Sequence, residues 1–458
     1  MKIFLLQVTE CPECFPLPVR FYDLKFSSPY RFRFRGAPGQ DPIAPEVSGK
    51  LEIPRIDAGL TWEGNSIAPD RIVPAWTPLA FASGDFGSVP LALAADARVL
   101  ESFSGKGPAV LQVVGQCRPA PDSFDERDLW LHHFTWMRLR DPVSGVPVPG
   151  CVVPDRLFVH LFNPEPFFSP AADTTPGAVL PAISVWHKAM EKAVPVTLIV
   201  LRSQAKEWKK APEVGYDLDV LVTDELYPAH HPGIAFARGL YPYGFGRLRY
   251  AWTDLLALTL FEAAVLRRPE AGTMPLLLAG CRPDGVARVM PWSRLDRARI
   301  GAPTGSLMVQ GGLLTGTAGG ADPVVRPWDR VWTFLSADDR REFLWFMNPG
   351  FTQDSSSPLF VSRYLPWLRR DLGAGLRGER RFCIACNRCE THCPAGLDPQ
   401  YLWKCLRKGF LEEARDHGLA RCLECGLCSY ACPSKIELAR DFRAAREKAA
   451  RVGKGMSR

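Results

Sequence analysis

A chain of 458 residues, 47 % of them hydrophobic, is long enough for several packed domains. Its longest apolar stretches, such as Leu255 to Phe261 and Val194 to Leu201, fall far short of the roughly 20 residues that a membrane-spanning helix needs. The formal charge of +7 is uneven, with 20 Lys+Arg against 11 Asp+Glu in residues 361–458. Those basic residues are interrupted by cysteines and form no recognition motif, which sets nucleic acid aside and leaves an acidic protein or an anionic membrane surface as the expected partner.

The opening run Met1-Lys2-Ile3-Phe4-Leu5-Leu6 turns polar by Thr9 and has no small-residue cleavage site. A first β-strand is expected there rather than a signal peptide, and with it a cytoplasmic location and reduced thiols. Cys11 and Cys14 form a lone C-x2-C pair; without a second pair they read as reduced thiols rather than a mononuclear metal site. From Tyr30 to Gln116 the chain is punctuated by proline and glycine between short apolar runs, among them Arg33-Phe34, Leu51-Glu52-Ile53 and Ala109 to Val114. That pattern predicts a small all-β barrel or sandwich, and an N-terminal region over 1–120.

Residues 150–270 read as a central α/β region. Arg156 to Phe162, Val194 to Leu201 and Leu218 to Val222 are near-continuous apolar runs, as buried parallel strands show. Helices are expected from Ala182 to Ala193 and from Trp252 to Leu266, the second with Leu255, Leu256, Leu260 and Ala263 on one face. His132-His133 and His230-His231 are adjacent pairs that would point apart on a strand, so turn or surface positions are expected rather than a shared metal. The glycines of 239–246 and 316–320 lack a G-x-G-x-x-G between strand and helix and read as turns. No catalytic constellation is recognisable.

The densest signal comes last. Eight cysteines stand in two copies of C-x2-C-x2-C-x3-C-P: Cys383, Cys386, Cys389, Cys393 and Cys422, Cys425, Cys428, Cys432. A disulfide framework would require an oxidising compartment, and zinc sites take their ligands in pairs, not in evenly spaced threes followed by Cys-Pro. The run is the one by which bacterial-type ferredoxins hold cubane clusters, with the fourth cysteine ligating the other cluster. Two [4Fe–4S] clusters are therefore expected, one on Cys383, Cys386, Cys389 and Cys432, the other on Cys422, Cys425, Cys428 and Cys393. Asp398-Pro399 and Gly418 bracket a helix expected over Gln400 to His417, and Ser434 is the expected cap of a last helix through Ile436, Leu438, Phe442 and Ala445. Cluster loops alternating with helices indicate an α-helical ferredoxin module over 371–458. The region resembles fumarate-reductase-type iron–sulfur subunits and the C subunit of the Rnf complex.

A second resemblance runs through the rest of the chain. Gly36-Ala37-Pro38-Gly39-Gln40 and Leu111 to Val114 resemble the barrel-sandwich start of the A subunit of the sodium-pumping NADH:quinone oxidoreductase. His231-Pro232-Gly233, Tyr250 to Asp254 and Pro275 to Cys281 follow in that family's order. Arg299 to Ala302 and Gln310 to Gly316 resemble its β-grasp ligand-binding segment, which implies such a fold over 271–325. Val331 to Leu335 and Arg341 to Phe346 resemble its distal stretch, here a connecting segment over 326–370. Two departures matter. The sodium-pump relative lacks an iron–sulfur motif of its own, and the Rnf relative has a glycine-rich flavin and nucleotide loop that is missing here. The resemblance implies a multidomain α+β electron-transfer subunit of an Rnf- or Nqr-like complex, peripheral on the cytoplasmic face of the inner membrane. Its expected partners are a soluble ferredoxin or dehydrogenase and membrane proteins holding flavin or quinone. The alternative is a self-contained soluble reductase acting on a flavin, quinone or corrin.

Overall fold

The computed structural model describes residues 19–24, 50–53, 61–64, 67–84, 87–102, 109–125, 128–129, 139–140, 147–148, 154–161, 174–190, 194–212, 214–224, 226–237, 240–241, 250–279, 285–295, 297, 300–319, 323–335 and 382–456. Readings on Met1 to Leu6, Cys11, Cys14, Gly36 to Gln40, the His132-His133 pair, Cys281, Arg299 and Arg341 to Phe346 lie outside the described residues. Among these residues the fold is mixed: several sheets, one of them largely parallel, and a C-terminal helical region that carries the cysteines. No helix among them is long and apolar enough to cross a membrane.

The apolar runs of the central region form the parallel core of a 7-stranded sheet. In it Leu218–Thr223, Val196–Leu201, Arg156–His160 and Tyr250–Asp254 lie side by side in that order, all parallel. Both faces are covered, which is why the runs do not alternate with polar residues. Leu157, Val159, Leu198, Val200 and Val220 pack on one face under the helices Pro176–Met190 and Leu255–Val265. Phe158, Ile199 and Leu221 point to the other face, against Tyr227, Ile234 and Phe236. Trp186, Trp208, Phe158 and Phe261 are fully buried, each favouring the fold by about 1.5–3 kcal/mol over an exposed position. The first described strand, Val19–Leu24, extends this sheet by pairing in parallel with Leu218–Thr223.

Both helices of this region differ from expectation in extent. The first starts at Pro176 and holds Pro181 inside it. Either proline suits a first turn, and spacing alone does not choose between them. The second starts at Leu255, because Tyr250–Asp254 is a strand and the Asp254 carboxylate accepts from Ala257 N at 2.8 Å as the helix cap. Nearly every side of that helix is buried, including Ala257, Leu258 and Phe261, so it is a core helix rather than an amphipathic one.

Leu51–Ile53 and Ala109 onward are strands as expected, in a 4-stranded antiparallel sheet of Lys50–Ile53, Ala109–Cys117, Ala95–Glu101 and Ile72–Val73. A 3-stranded sheet of Thr61–Gly64, Ala80–Gly84 and Gly87–Leu91 accompanies it. Met290 and Trp292, far along the chain, complete this core. A 5-stranded sheet follows, in the order Gly285–Val289, Met274–Ala279, Val331–Leu335, Leu307–Gln310 and Thr317–Ala318.

Candidate metal centre

The C-terminal region repeats itself in backbone as well as in spacing. The copies are offset by 39 residues (422 − 383 = 39). In the first, Ala385 and Asn387 take the left-handed conformation, with φ of 53° and 55°; in the second the matching Glu424 and Gly426 do so, with φ of 52° and 76°. Three residues past each fourth cysteine the same happens again, at Gly396 (φ 64°) and Lys435 (φ 54°). A left-handed residue other than glycine costs about 1–2 kcal/mol, so four of them at matched positions mark a conformation enforced by the surroundings. Alternating right- and left-handed residues turn successive N–H groups to one side, the concavity that suits anions and iron–sulfur sites. A one-turn helix follows each loop, Arg388–Thr391 and Leu427–Tyr430, carrying Cys389 and Cys428. Beyond each Cys-Pro the chain folds back, and Leu397 N donates to Cys393 Sγ at 3.4 Å while Ile436 N donates to Cys432 Sγ at 3.5 Å.

The longer helices hold the two copies together. Asp398 caps Pro399–Arg407 by accepting from Tyr401 N at 3.0 Å. The helix expected to reach His417 breaks at Gly409 (φ 81°), where Phe410 N bonds Cys405 O and Gly409 N bonds Leu406 O. That is a Schellman stop, and a second helix, Leu411–Asp416, follows it. The last helix, Leu438–Met456, begins later than expected. Its hydroxyl partner is Ser429, which accepts from Ala439 N at 2.9 Å, while Ser434 is buried.

Two hollows result. One is lined by Cys383, Cys386 and Cys389 together with Cys432, the other by Cys422, Cys425 and Cys428 together with Cys393. Three thiols come from one loop and the fourth from the other copy in both cases. Among the described residues no three His, Cys, Asp or Glu converge on the position of a single ion, as zinc with thiolates about 2.3 Å away would require. The thiols surround a space instead.

Burial pushes the Cys389 thiol up to about 11, with the Cys386 and Cys432 thiols adding to the shift. Cys422 is pushed up to about 11 by burial, against the lowering influence of Arg446. Cys425, Cys428 and Cys393 are raised too, burial being the main cause in each. Thiols so placed ionise at neutral pH only when a bound group brings positive charge, and N–H donors already point at the sulfurs of Cys393 and Cys422. The donor set, the inward N–H groups and the apolar walls together fit an iron–sulfur cluster in each hollow.

The two loops differ in where they lie. Cys386 is exposed, and so are Ile384 and Phe382 beside it. Cys422, Cys425 and Cys428 are buried. Leu423, Cys425 and Leu427 join Phe158, Ile199 and Leu221 in the core on the second face of the central sheet. Tyr227 Oη donates to Cys425 O at 2.6 Å, and a Cβ on Gly426 would collide with Leu314 O. Behind the loop Glu424 accepts from Arg443 at 2.8 Å and from Arg446 at 2.9 Å; Arg446 also donates to Cys422 O at 2.7 Å.

The His230-His231 pair lies at this junction, not on a strand. His230 is buried in a turn, 5.6 Å ring to ring from both His160 and Tyr227, and His231 Nδ1 accepts from Gly233 N at 3.0 Å. Trp252 stacks on His160 at 4.8 Å. Tyr227, Leu314, Glu424 and Arg446 carry no spacing signal that would single them out, since each matters through a contact distant in sequence.

No family model matches the chain. It is 25 % identical over 333 residues to the A subunit of the Na(+)-translocating NADH-quinone reductase of Cellvibrio japonicus, spanning 66 % of this chain and 68 % of that one. The corresponding protein of Alcanivorax borkumensis is 23 % identical over 331 residues, with the same shares. Over 64 residues the chain is 35 % identical to the C subunit of the ion-translocating oxidoreductase complex of Buchnera aphidicola, 14 % of either chain. The chain is a distant homologue of the reductase proteins and shares a short part with the oxidoreductase one, to which its cysteine-rich region is akin.

Proposed function

We propose that the chain is an electron-transfer iron–sulfur subunit of an Rnf- or Nqr-like complex. In this reading Cys383, Cys386, Cys389 and Cys432 hold one [4Fe–4S] cluster, and Cys422, Cys425, Cys428 and Cys393 hold the other. The observation that carries it is the exchange of the fourth cysteine between the two copies around separate hollows. Such an exchange sets two clusters side by side, as a relay requires. When bound, the clusters supply one-electron chemistry; the chain supplies thiolates, inward N–H donors and an apolar surround. Electrons pass between a soluble ferredoxin or dehydrogenase and membrane partners holding flavin or quinone, with the chain peripheral on the cytoplasmic face. The same proposal includes a barrel-sandwich-like region over 1–120, an α/β domain over 150–270, a β-grasp segment over 271–325, a connecting segment over 326–370 and a helical ferredoxin module over 371–458. The pairing of Val19–Leu24 with the central sheet ties the first of these to the second.

Anaerobic affinity purification of the tagged chain from gently solubilised membranes, with partners identified by mass spectrometry, tests this reading. Recovery with integral-membrane redox proteins is expected. One observation favours a second reading, a self-contained reductase with a flavin, quinone or corrin on the central domain. Strand order reverses between Arg156–His160 and Tyr250–Asp254, the kind of place where open α/β sheets bind ligands, and the second cysteine loop packs beside it. Recovery alone from the soluble fraction, with a stoichiometric organic cofactor, would replace the first reading by this one.

A further inference from the structure

The pseudo-symmetry of the two hollows allows their walls to be compared position by position. The residue 39 places after Gln400 is Ala439, and after Trp403 it is Phe442; 39 places before Ser434 is Ala395. Each member lines its own hollow, the polar one always the hollow of Cys383, Cys386 and Cys389. Asn387, which lines the first hollow, corresponds to Gly426 of the second in the same sense. Of these wall residues Gln400 alone reaches a thiol with its side chain, Nε2 donating to Cys383 Sγ at 3.6 Å. The hollow whose walls are the more polar of the two is also the one beside the exposed loop, while its counterpart is packed under the central sheet. Glu424, opposite Ala385, is the exception, and it is engaged by Arg443 and Arg446. That trio leaves one net positive charge at the second loop, which opposes the difference; Glu424 lines the hollow and Arg446 is bonded to Cys422 O.

Resting on the iron–sulfur reading above, we infer that Gln400 is a positioning residue that tunes the cluster of Cys383, Cys386, Cys389 and Cys432 to a higher potential than its twin. An added electron makes a cluster more negative. Hydrogen bonds to its sulfurs and access to water stabilise that charge, whereas an apolar, buried surround does not. A single electron on the module therefore rests mainly on the exposed cluster, and electrons run downhill from the cluster under the central sheet toward the open loop. The amide of Gln400 contributes about tenfold to this partition, which is about 59 mV for a one-electron couple.

The test is a redox titration of the anaerobically purified holoprotein, followed by electron paramagnetic resonance with iron content measured on every sample. Two midpoints are expected in the unaltered chain. Gln400→Leu lowers the higher one and leaves the other in place; Ala439→Gln, which grafts the donor onto the twin, raises the lower one. Coincident midpoints, a Gln400→Leu protein with full iron and unmoved midpoints, or a shift of the lower midpoint in Gln400→Leu would each overturn the inference while sparing the iron–sulfur reading. A chain that holds no iron would overturn that reading itself, and the inference with it.

Discussion

The two cysteine loops share spacing, backbone turns and the fold-back of Cys-Pro, yet one lies open and the other is part of the central core. Cys386 is exposed and Cys425 is buried at the matching position. Local sequence shapes a cysteine loop, then, while packing decides its surroundings: Leu423 and Leu427 bind the second loop to the sheet, and the Tyr227 hydroxyl anchors it. Two copies of one local pattern serve two different surroundings.

The largest expected effect separates the loops by cysteine replacement. Cys386→Ser should cost the exposed centre alone, leaving a folded chain with about half the iron. Cys425→Ser should lose the buried centre and loosen the junction with the sheet, read as lost iron together with faster proteolysis between the regions. Equal behaviour of the two variants would remove the distinction. Next comes Gly426→Ala, which adds a Cβ against Leu314 O at a left-handed position. Strain of about 1–2 kcal/mol and overpacking of about 1–3 kcal/mol add to a destabilisation of about 2–5 kcal/mol in thermal unfolding. The matching Asn387 already carries a Cβ, so Asn387→Ala should cost about 1 kcal/mol or less.

Acid should also strike the buried side. Burial lowers the His160 pKa to about 3 from an ordinary 6.5, with His231 lowering it further and Asp254 raising it. A base depressed in the folded state stabilises it fully above its unfolded pKa, and that contribution fades as pH falls toward the folded value. Between about pH 6.5 and 4.5 the loss is about 2 kcal/mol, approaching roughly 1.36 kcal/mol per pH unit once the unfolded group is mostly charged. His160→Phe should flatten this decline in melting temperature, and an unchanged slope would contradict the assignment. Tyr227→Phe should cost about 1–2 kcal/mol for the lost bond to Cys425 O, felt by the buried centre and not by the exposed one.

What the amino-acid sequence displays here follows from how local each feature is. The cysteine spacing, the Asp398 cap and the strands at Arg156, Val196 and Leu218 depend on neighbours a few residues away, and they are legible. Gly409 is a helix stop in plain view, but the periodic Leu402, Cys405 and Leu406 before it and the leucine and alanine after it mask the break. The helix at Leu255 starts later than its periodicity suggests, because Tyr250 to Asp254 alternates over too few residues to declare a strand. The burial of the second loop, the Glu424, Arg443 and Arg446 trio and the turn at His230 depend on partners distant in the chain. No period or motif records them.

The most direct test of the central claim is the iron and acid-labile sulfide content of the anaerobically purified chain, read together with its low-temperature magnetic resonance after reduction. Two cubane clusters require about eight irons and eight sulfides per chain and two interacting signals. Stoichiometric zinc with no sulfide, or iron for one cluster only in a fully folded chain, would contradict it.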